Sequence, residues 1–166
     1  MNEIIIRTEL LPGDLGLVAH LHGQVYTQEY GYGLGFEGYV LEGLGEFALR
    51  YDPAKDRVWV CEHQGRMIGF LLGMHRDKVA QLRYFILLPE YRGSGLGKRL
   101  MQLFMDWLRA CGYNKAYLWT TNELETAAAL YERHGFRLTE EKESAAFNKV
   151  LIERRYDLEL KNTTHL

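Results

Sequence analysis

Cysteine is scarce: the 166 residues contain two, Cys61 and Cys111, far apart and outside any C-x-x-C spacing. That excludes a disulfide framework and a cysteine-based structural zinc site, and it makes a reducing cytoplasm the expected compartment. Charge of one sign is also lacking. Twenty Lys plus Arg stand against 22 Asp plus Glu, a formal net charge of -2, so the chain carries no electrostatic footprint of a nucleic-acid binder and an anionic ligand would need a local site. No window reaches 18 apolar residues, and Met1 to Arg7 lacks the basic start and long apolar run of a signal peptide, so neither secretion nor a membrane span is expected. His20 and His22 lie two apart, diverge around a helix and make a poor metal pair. No metal is expected. What the chain has is 47% hydrophobic and 13% aromatic residues, enough for one compact domain, 1–166, with a core over about 4–160 and a frayed tail from Lys161 to Leu166.

The pattern along the chain predicts alternating strands and helices. Ile4 to Arg7 is a short β-branched run, closed by Leu11-Pro12-Gly13-Asp14 with Asp14 as a helix N-cap. Helical stripes follow, Leu15 to about Tyr30 and then Val40 to Ala48. Gly31, Gly33, Gly35, Gly38, Gly43 and Gly45 fall between and within them, which predicts lower rigidity there. Val58 to Glu62, Met67 to His75 and Gln81 to Leu88 read as successive antiparallel strands, the first two joined by the turn His63-Gln64-Gly65-Arg66. Leu96, Leu100, Leu103, Phe104, Trp107, Leu108 and Cys111 share one helical face, with Gly112 as the C-terminal cap. Strands at Ala116 to Thr120, Phe136 to Glu140 and Lys149 to Leu160, with a helix at Leu124 to His134, complete the order β-α-α-β-β-β-α-β-α-β-β. The fold class is α/β (α+β): a mixed, mostly antiparallel sheet with helices on both faces.

The stretch from Leu87 to Lys98 places a glycine-rich turn, Arg92-Gly93-Ser94-Gly95-Leu96-Gly97, between a strand and the amphipathic helix. Helix-initial N–H groups lack partners and the helix dipole is positive there, so small residues at that point let phosphate oxygens approach the main chain. A phosphate-bearing ligand is expected; the plain alternative is that the glycines only tighten a turn. Spacing rules out several other sites. A Walker loop needs glycine at Arg92 and Ser or Thr at Arg99, and the dinucleotide fingerprint needs glycine at Lys98. A nucleophile elbow needs glycine at Arg92 and Leu96, so Ser94 is no nucleophile.

Arg92 to Gly97 resembles the Arg/Gln-x-x-Gly-x-Gly/Ala motif of the GCN5-related N-acetyltransferases (GNAT). Ala127-Ala128-Ala129-Leu130-Tyr131-Glu132-Arg133-His134-Gly135-Phe136 resembles that family's later Ala-x-x-Leu-Tyr-x-x-x-Gly-Phe motif, and the order of elements agrees from Ile4 to Leu160. Gln81-Leu82-Arg83 and Leu118-Trp119-Thr120 are similar to the acetyltransferase half of bacterial proteins that fuse a MarR-type winged helix to GNAT. No winged helix is present, and no DNA-binding role follows.

By this resemblance acetyl-CoA is the acetyl donor. The main chain of Arg92, Gly93, Ser94, Gly95, Leu96, Gly97 and Lys98 would cradle its pyrophosphate, with the Arg92 and Lys98 charges nearby. Phe85, Ile86 and Leu87 match the strand whose main chain pairs with the pantetheine arm. Tyr131 matches a tyrosine beside the cofactor sulfur that protonates the departing thiolate. Relatives often carry asparagine where Leu124 stands, and Asn122 is close by. The glutamate that deprotonates the amine in some relatives corresponds to Gln81, which accepts no proton. Glu29, Glu37, His75, Glu123 or a water chain are the substitutes. Tyr26, Glu29, Tyr30, Tyr32 and Phe36 would wall the acceptor cleft, or else be ordinary half-buried helix residues. Arg83 and Trp119 would lie near the splayed strands, Arg83 binding an acceptor carboxylate or pairing with a structural acid.

Two functions follow from the resemblance. One is an acetyl-CoA-dependent N-acetyltransferase moving an acetyl group to a primary amine, on a small molecule or a peptide, by direct attack in a ternary complex. With Cys111 assigned to the core and no activated serine, no covalent intermediate is expected. The other is a catalytically silent CoA-binding module for regulation or interaction. Nucleic acid and membrane are not expected partners, and a homodimer is left open.

Overall fold

The computed structural model describes residues 3–161; the expected tail, Lys161 to Leu166, therefore lies almost wholly outside the described residues. The elements are β1 (Ile5–Arg7), α1 (Asp14–Tyr30), α2 (Leu34–Arg50), β2 (Arg57–His63), β3 (Arg66–Arg76), β4 (Val79–Leu87), α3 (Leu96–Cys111), β5 (Lys115–Thr121), α4 (Glu125–Arg133), β6 (Arg137–Ser144) and β7 (Leu151–Glu159), with one short 3-10 turn at Pro89–Tyr91. The order is the expected one.

Seven strands form one sheet in the order β1-β2-β3-β4-β5-β7-β6. Every neighbouring pair is antiparallel except β4 and β5. Gln64 and Gly65 take φ of 54° and 73° at the β2–β3 turn, the left-handed pair that a tight hairpin requires. Helices cover both faces. On one, Tyr32 reaches Thr121 of β5 and Gly43 of α2 makes room for Tyr84 of β4. On the other, Trp107 of α3 packs on Trp59 of β2 and Tyr131 of α4 on Tyr156 of β7. Gly73 of β3 is the close-approach point on that face, since a Cβ there would meet the Trp107 ring.

Two local expectations are corrected. Asp14 is not the cap of α1. Gly13 takes that position with φ 94°, while the Asp14 carboxylate accepts the Leu11 N–H at 2.7 Å and a forked pair of bonds from Arg7. The turn is closed from inside the helix because the glycine supplies the left-handed backbone that aspartate would adopt at a cost. Cys111 is exposed rather than in the core. The buried face of α3 is completed by Met101 and Met105, because the apolar stripe is wider than the heptad positions alone. Strand ends moved as well: β6 runs on to Ser144, and β7 begins at Leu151 rather than Lys149.

Candidate active site

The sheet opens at its centre. β4 and β5 pair only at Ala80–Ala116 and Gln81–Tyr117; past Gln81 the edge of β4 that faces β5 has no strand partner among the described residues. A bulge in β4 aids the parting. Between Phe70–Ile86 and Leu72–Arg83 the register gains one residue on β4, and Tyr84 holds φ 57°, an uncommon conformation for a bulky residue outside a functional or strained position.

Just beyond the parted strand the chain makes its glycine turn. Gly93 and Gly95 take φ of 76° and 86°, and a Cβ at either would meet nothing within 4 Å. They are required by backbone geometry and leave an open cradle. Ser94 Oγ donates to the Tyr91 carbonyl at 2.9 Å, which closes the turn and uses the hydroxyl. Gly95 caps α3, so the first N–H groups of that helix have no intrahelical partner. Arg92 is not free to face this cradle: its guanidinium donates to Glu29 and to the Leu87 carbonyl, and the carboxylate raises its pKa.

Behind the parted strands lies a cavity of about 110 Å3. Tyr131 forms part of its wall at 5% exposure, with its ring among Phe85, Phe136 and Tyr156 at centroid separations of 6.3, 6.0 and 6.3 Å. Burial drives the phenol's pKa up, so it stays protonated at neutral pH. Tyr32 donates or accepts at Thr121 Oγ1 over 2.8 Å. Tyr84 and Thr120 also line the cavity, and their buried hydroxyls have no hydrogen-bond partner among the described residues. Such orphans are costly unless a ligand or water meets them. The glycine turn offers main-chain N–H groups to a phosphate, and the orphan hydroxyls offer polar partners to a ligand in the cavity.

The structure separates the expected site residues into two groups. Phe85, Arg83, Trp119, Tyr32, Tyr131, Tyr26 and Phe36 come together around the cavity. Glu29 does not line it; its carboxylate is taken by Arg92. Tyr30 packs edge-on against Tyr26 beside the wall, and its carbonyl accepts from Lys149. Asn122 is occupied as a clasp between β5 and β7, Oδ1 accepting the Ile152 N–H at 3.0 Å. Ile86 is buried and Lys98 exposed at the start of α3. Of the four alternatives for a base none lines the cavity: Glu29 pairs with Arg92, Glu123 with Lys149, His75 with Asp56, and Glu37 lies against Gly23 of α1. Gln81 does line it, but Arg76 and Tyr117 both donate to its carbonyl oxygen.

Several lining residues, among them Tyr39, Phe147, Glu153 and His22, have no cavity role in the sequence reading. Glu153 of β7 sits opposite Thr121 and enters the wall; in the sequence it was one charge in an alternating strand. His22, on the stripe of α1 and a poor metal ligand by its spacing, is 3% exposed, with Nδ1 bonded to the Val18 carbonyl at 2.8 Å. Burial lowers its pKa to about 4, so the ring is neutral, with Nδ1 as the donor and Nε2 left as an acceptor. Among the described residues no three His, Cys, Asp or Glu group as a metal site, and no helix is long and apolar enough to cross a membrane.

Residues 24–136 match the model of the acetyltransferase (GNAT) family. The chain belongs to that family. The GNAT relatives include the uncharacterized N-acetyltransferase YjgM of Escherichia coli, 36% identical over 98 residues, covering 56% of this chain and 58% of YjgM. Rat N-acetyltransferase family 8 member 2 is 28% identical over 102 residues, 58% of this chain and 45% of that protein. The chain thus spans about half the length of the curated relatives it matches. Among solved folds, a GNAT-family acetyltransferase from Desulfovibrio desulfuricans superposes with TM-score 0.73 at 18% identity, covering 96% of this chain and all (100%) of that one. YncA of Salmonella typhimurium, solved with acetyl-CoA, gives TM-score 0.71 at 17% identity over 99% of this chain and 98% of its own.

Proposed function

We propose that this chain is one acetyl-CoA-dependent N-acetyltransferase domain, transferring acetyl to a primary amine by direct attack in a ternary complex, in a reducing cytoplasm. The observation that carries the reading is the parting of β4 from β5 at Gln81, directly before a glycine cradle at a helix N-terminus. Membership of GNAT supports it, as does the presence of acetyl-CoA in structures of the same fold. The inferred kinship with the acetyltransferase half of MarR-type fusions rests on Gln81 to Arg83 and Leu118 to Thr120 and transfers no DNA-binding role.

Acetyl-CoA supplies an acyl group activated as a thioester. The N–H groups at the start of α3 and the open space at Gly93 and Gly95 hold its pyrophosphate. The β5-facing edge of β4 from Phe85 to Leu87, unpaired by any strand among the described residues but with the Leu87 carbonyl held by Arg92, would run beside the pantetheine arm. The Tyr131 phenol, kept protonated by burial, stands as proton donor for the leaving thiolate. Gln81 accepts no proton, so removal of the amine's proton falls to Glu153, the carboxylate in the cavity wall, or to a water. Cys111 on the surface and Ser94 closed into its turn leave the cavity without an activated nucleophile, which favours direct attack over a covalent intermediate.

Release of CoA thiol on addition of an amine panel tests the reading; acetyl-CoA binding with no amine ever increasing thiol release overturns it. Gln81 favours a second reading, a CoA-binding module without turnover, because its occupied amide stands where a base is wanted. Binding measured beside turnover separates the two.

A further inference from the structure

The cavity wall holds two charged side chains with no charged partner within 4 Å among the described residues, Arg83 on β4 and Glu153 on β7. The charges around them are committed elsewhere: Glu46 to Arg50 and Arg76, Asp157 to Arg155, Glu123 to Lys149, and Glu29 to Arg92. Arg83 is placed rather than loose. Its guanidinium lies over the Tyr84 ring at 4.7 Å and donates to the Tyr39 hydroxyl at 3.3 Å. Gly43 leaves the gap in which it rests, since a Cβ there would meet both the Tyr84 hydroxyl and the guanidinium. With Nη2 spent on Tyr39, Arg83 keeps its Nη1 and Nε N–H groups without a protein partner among the described residues, and these can meet a carboxylate. Glu153, directly across from Lys142 in the register, does not bond to it. Lys142 stands instead over the Trp119 ring at 4.7 Å, which leaves the Glu153 carboxylate to an incoming cation.

We propose that the acceptor is a primary amine that also carries a carboxylate, of the free amino acid type, with Arg83 holding the carboxylate and Glu153 facing the amine. This rests on the acetyl-transfer reading above and narrows it. Tyr39, Trp119, Phe147 and Val40 also line the cavity and offer apolar or aromatic surface to an acceptor side chain. A polyamine is disfavoured, because its second ammonium would meet Arg83.

The test uses the full chain with leucine and phenylalanine, each beside its carboxamide. Thiol release is followed with acetyl-CoA, and binding is followed calorimetrically with CoA present. The free acids are expected to exceed the amides by about 10- to 100-fold in kcat/KM and in affinity, because only they bring a carboxylate to Arg83. Arg83→Met should erase that preference through KM and leave the acetyl-CoA Kd unchanged, with an unchanged melting temperature showing that the fold is intact. Glu153→Gln should weaken acids and amides alike. Equal use of acids and amides by the wild type overturns the inference and leaves acetyl transfer standing. Arg83-dependent binding of the acids without thiol release overturns them as acceptors and leaves acetyl transfer to be decided by the wider amine panel. If none of the four probes binds or reacts, or if Arg83→Met keeps the preference, the inference is wrong.

Discussion

Arg92 and Glu29 face each other fork to fork, Nη1 at 2.7 Å from one carboxylate oxygen and Nη2 at 2.6 Å from the other. The pair ties the C-terminal turn of α1 to the glycine turn before α3, so the Arg92 charge beside the proposed pyrophosphate cradle is already paired. Glu29→Gln should release it and tighten acetyl-CoA binding by about 2- to 5-fold, while Arg92→Ala leaves an uncompensated carboxylate and should weaken binding by about the same factor. Titration calorimetry at low and moderate salt reads both. Loss of affinity in both variants would mean that the pair acts as a brace and not as a charge competitor.

Tyr131→Phe keeps the ring among Phe85, Phe136 and Tyr156 and removes only the hydroxyl. If the phenol is the proton donor, the single-turnover rate should fall about 10- to 1,000-fold with near-normal acetyl-CoA affinity and melting temperature. An unchanged chemical step with a stability loss on the order of 1 kcal/mol would assign the hydroxyl to the fold instead.

His22 makes the protein sensitive to acid. Its pKa falls from an ordinary 6.5 to about 4 on burial, so as the pH drops the unfolded chain takes up the proton first. Stability from this group is complete above about pH 6.5 and is lost as pH falls toward about 4, with a ceiling on the order of 3 kcal/mol at about 1.4 kcal/mol per unit. Urea unfolding of the wild type and of His22→Leu at pH 7.5 and 5.0 should show a larger drop for the wild type. Parallel behaviour would place the acid sensitivity in other groups.

Glycines within α2 are not equivalent. A Cβ at Gly45 meets nothing within 4 Å, whereas one at Gly43 runs into the Tyr84 hydroxyl. Gly45→Ala should therefore stabilise by about 0.5–1 kcal/mol through the usual helix propensity. Gly43→Ala should destabilise despite the same propensity gain, by displacing Tyr84 and Arg83. Thermal melts of the two single variants decide it, and stabilisation by Gly43→Ala would show that the Tyr84 pocket yields freely.

Periodicity made α3 legible because its apolar stripe is wide, yet it placed Cys111 inside when the stripe actually turns through Met101 and Met105. The glycine turn was legible because its glycines lie between strand and helix, a placement with few physical meanings. The opening between β4 and β5 was not derivable from composition or period: a bulge at Tyr84 adds one residue, and neither its side chain nor its neighbours announce a positive φ. Nor was the pairing of Arg92 with Glu29, 63 residues away in the chain, since local pattern carries no information on contacts between distant elements. Glu153 escaped for the same reason, being distinguished from Glu159 on the same strand only by what lies across from it.

The main-chain segments assigned to the donor lie close together in sequence, between Phe85 and Lys98, with Tyr131 as the distant member. Those assigned to the acceptor besides Arg83 are dispersed: Tyr39 on α2, Trp119 on β5, Phe147 between β6 and β7, and Glu153 on β7. The last two fall beyond residue 136, where the family match ends. A duplicated copy of such a chain inherits its acetyl source as a block, and it can exchange one side chain at a time on the opposite wall without disturbing that block. Divergence in what is acetylated is then cheap in mutational steps, and divergence in what donates the acetyl group is not.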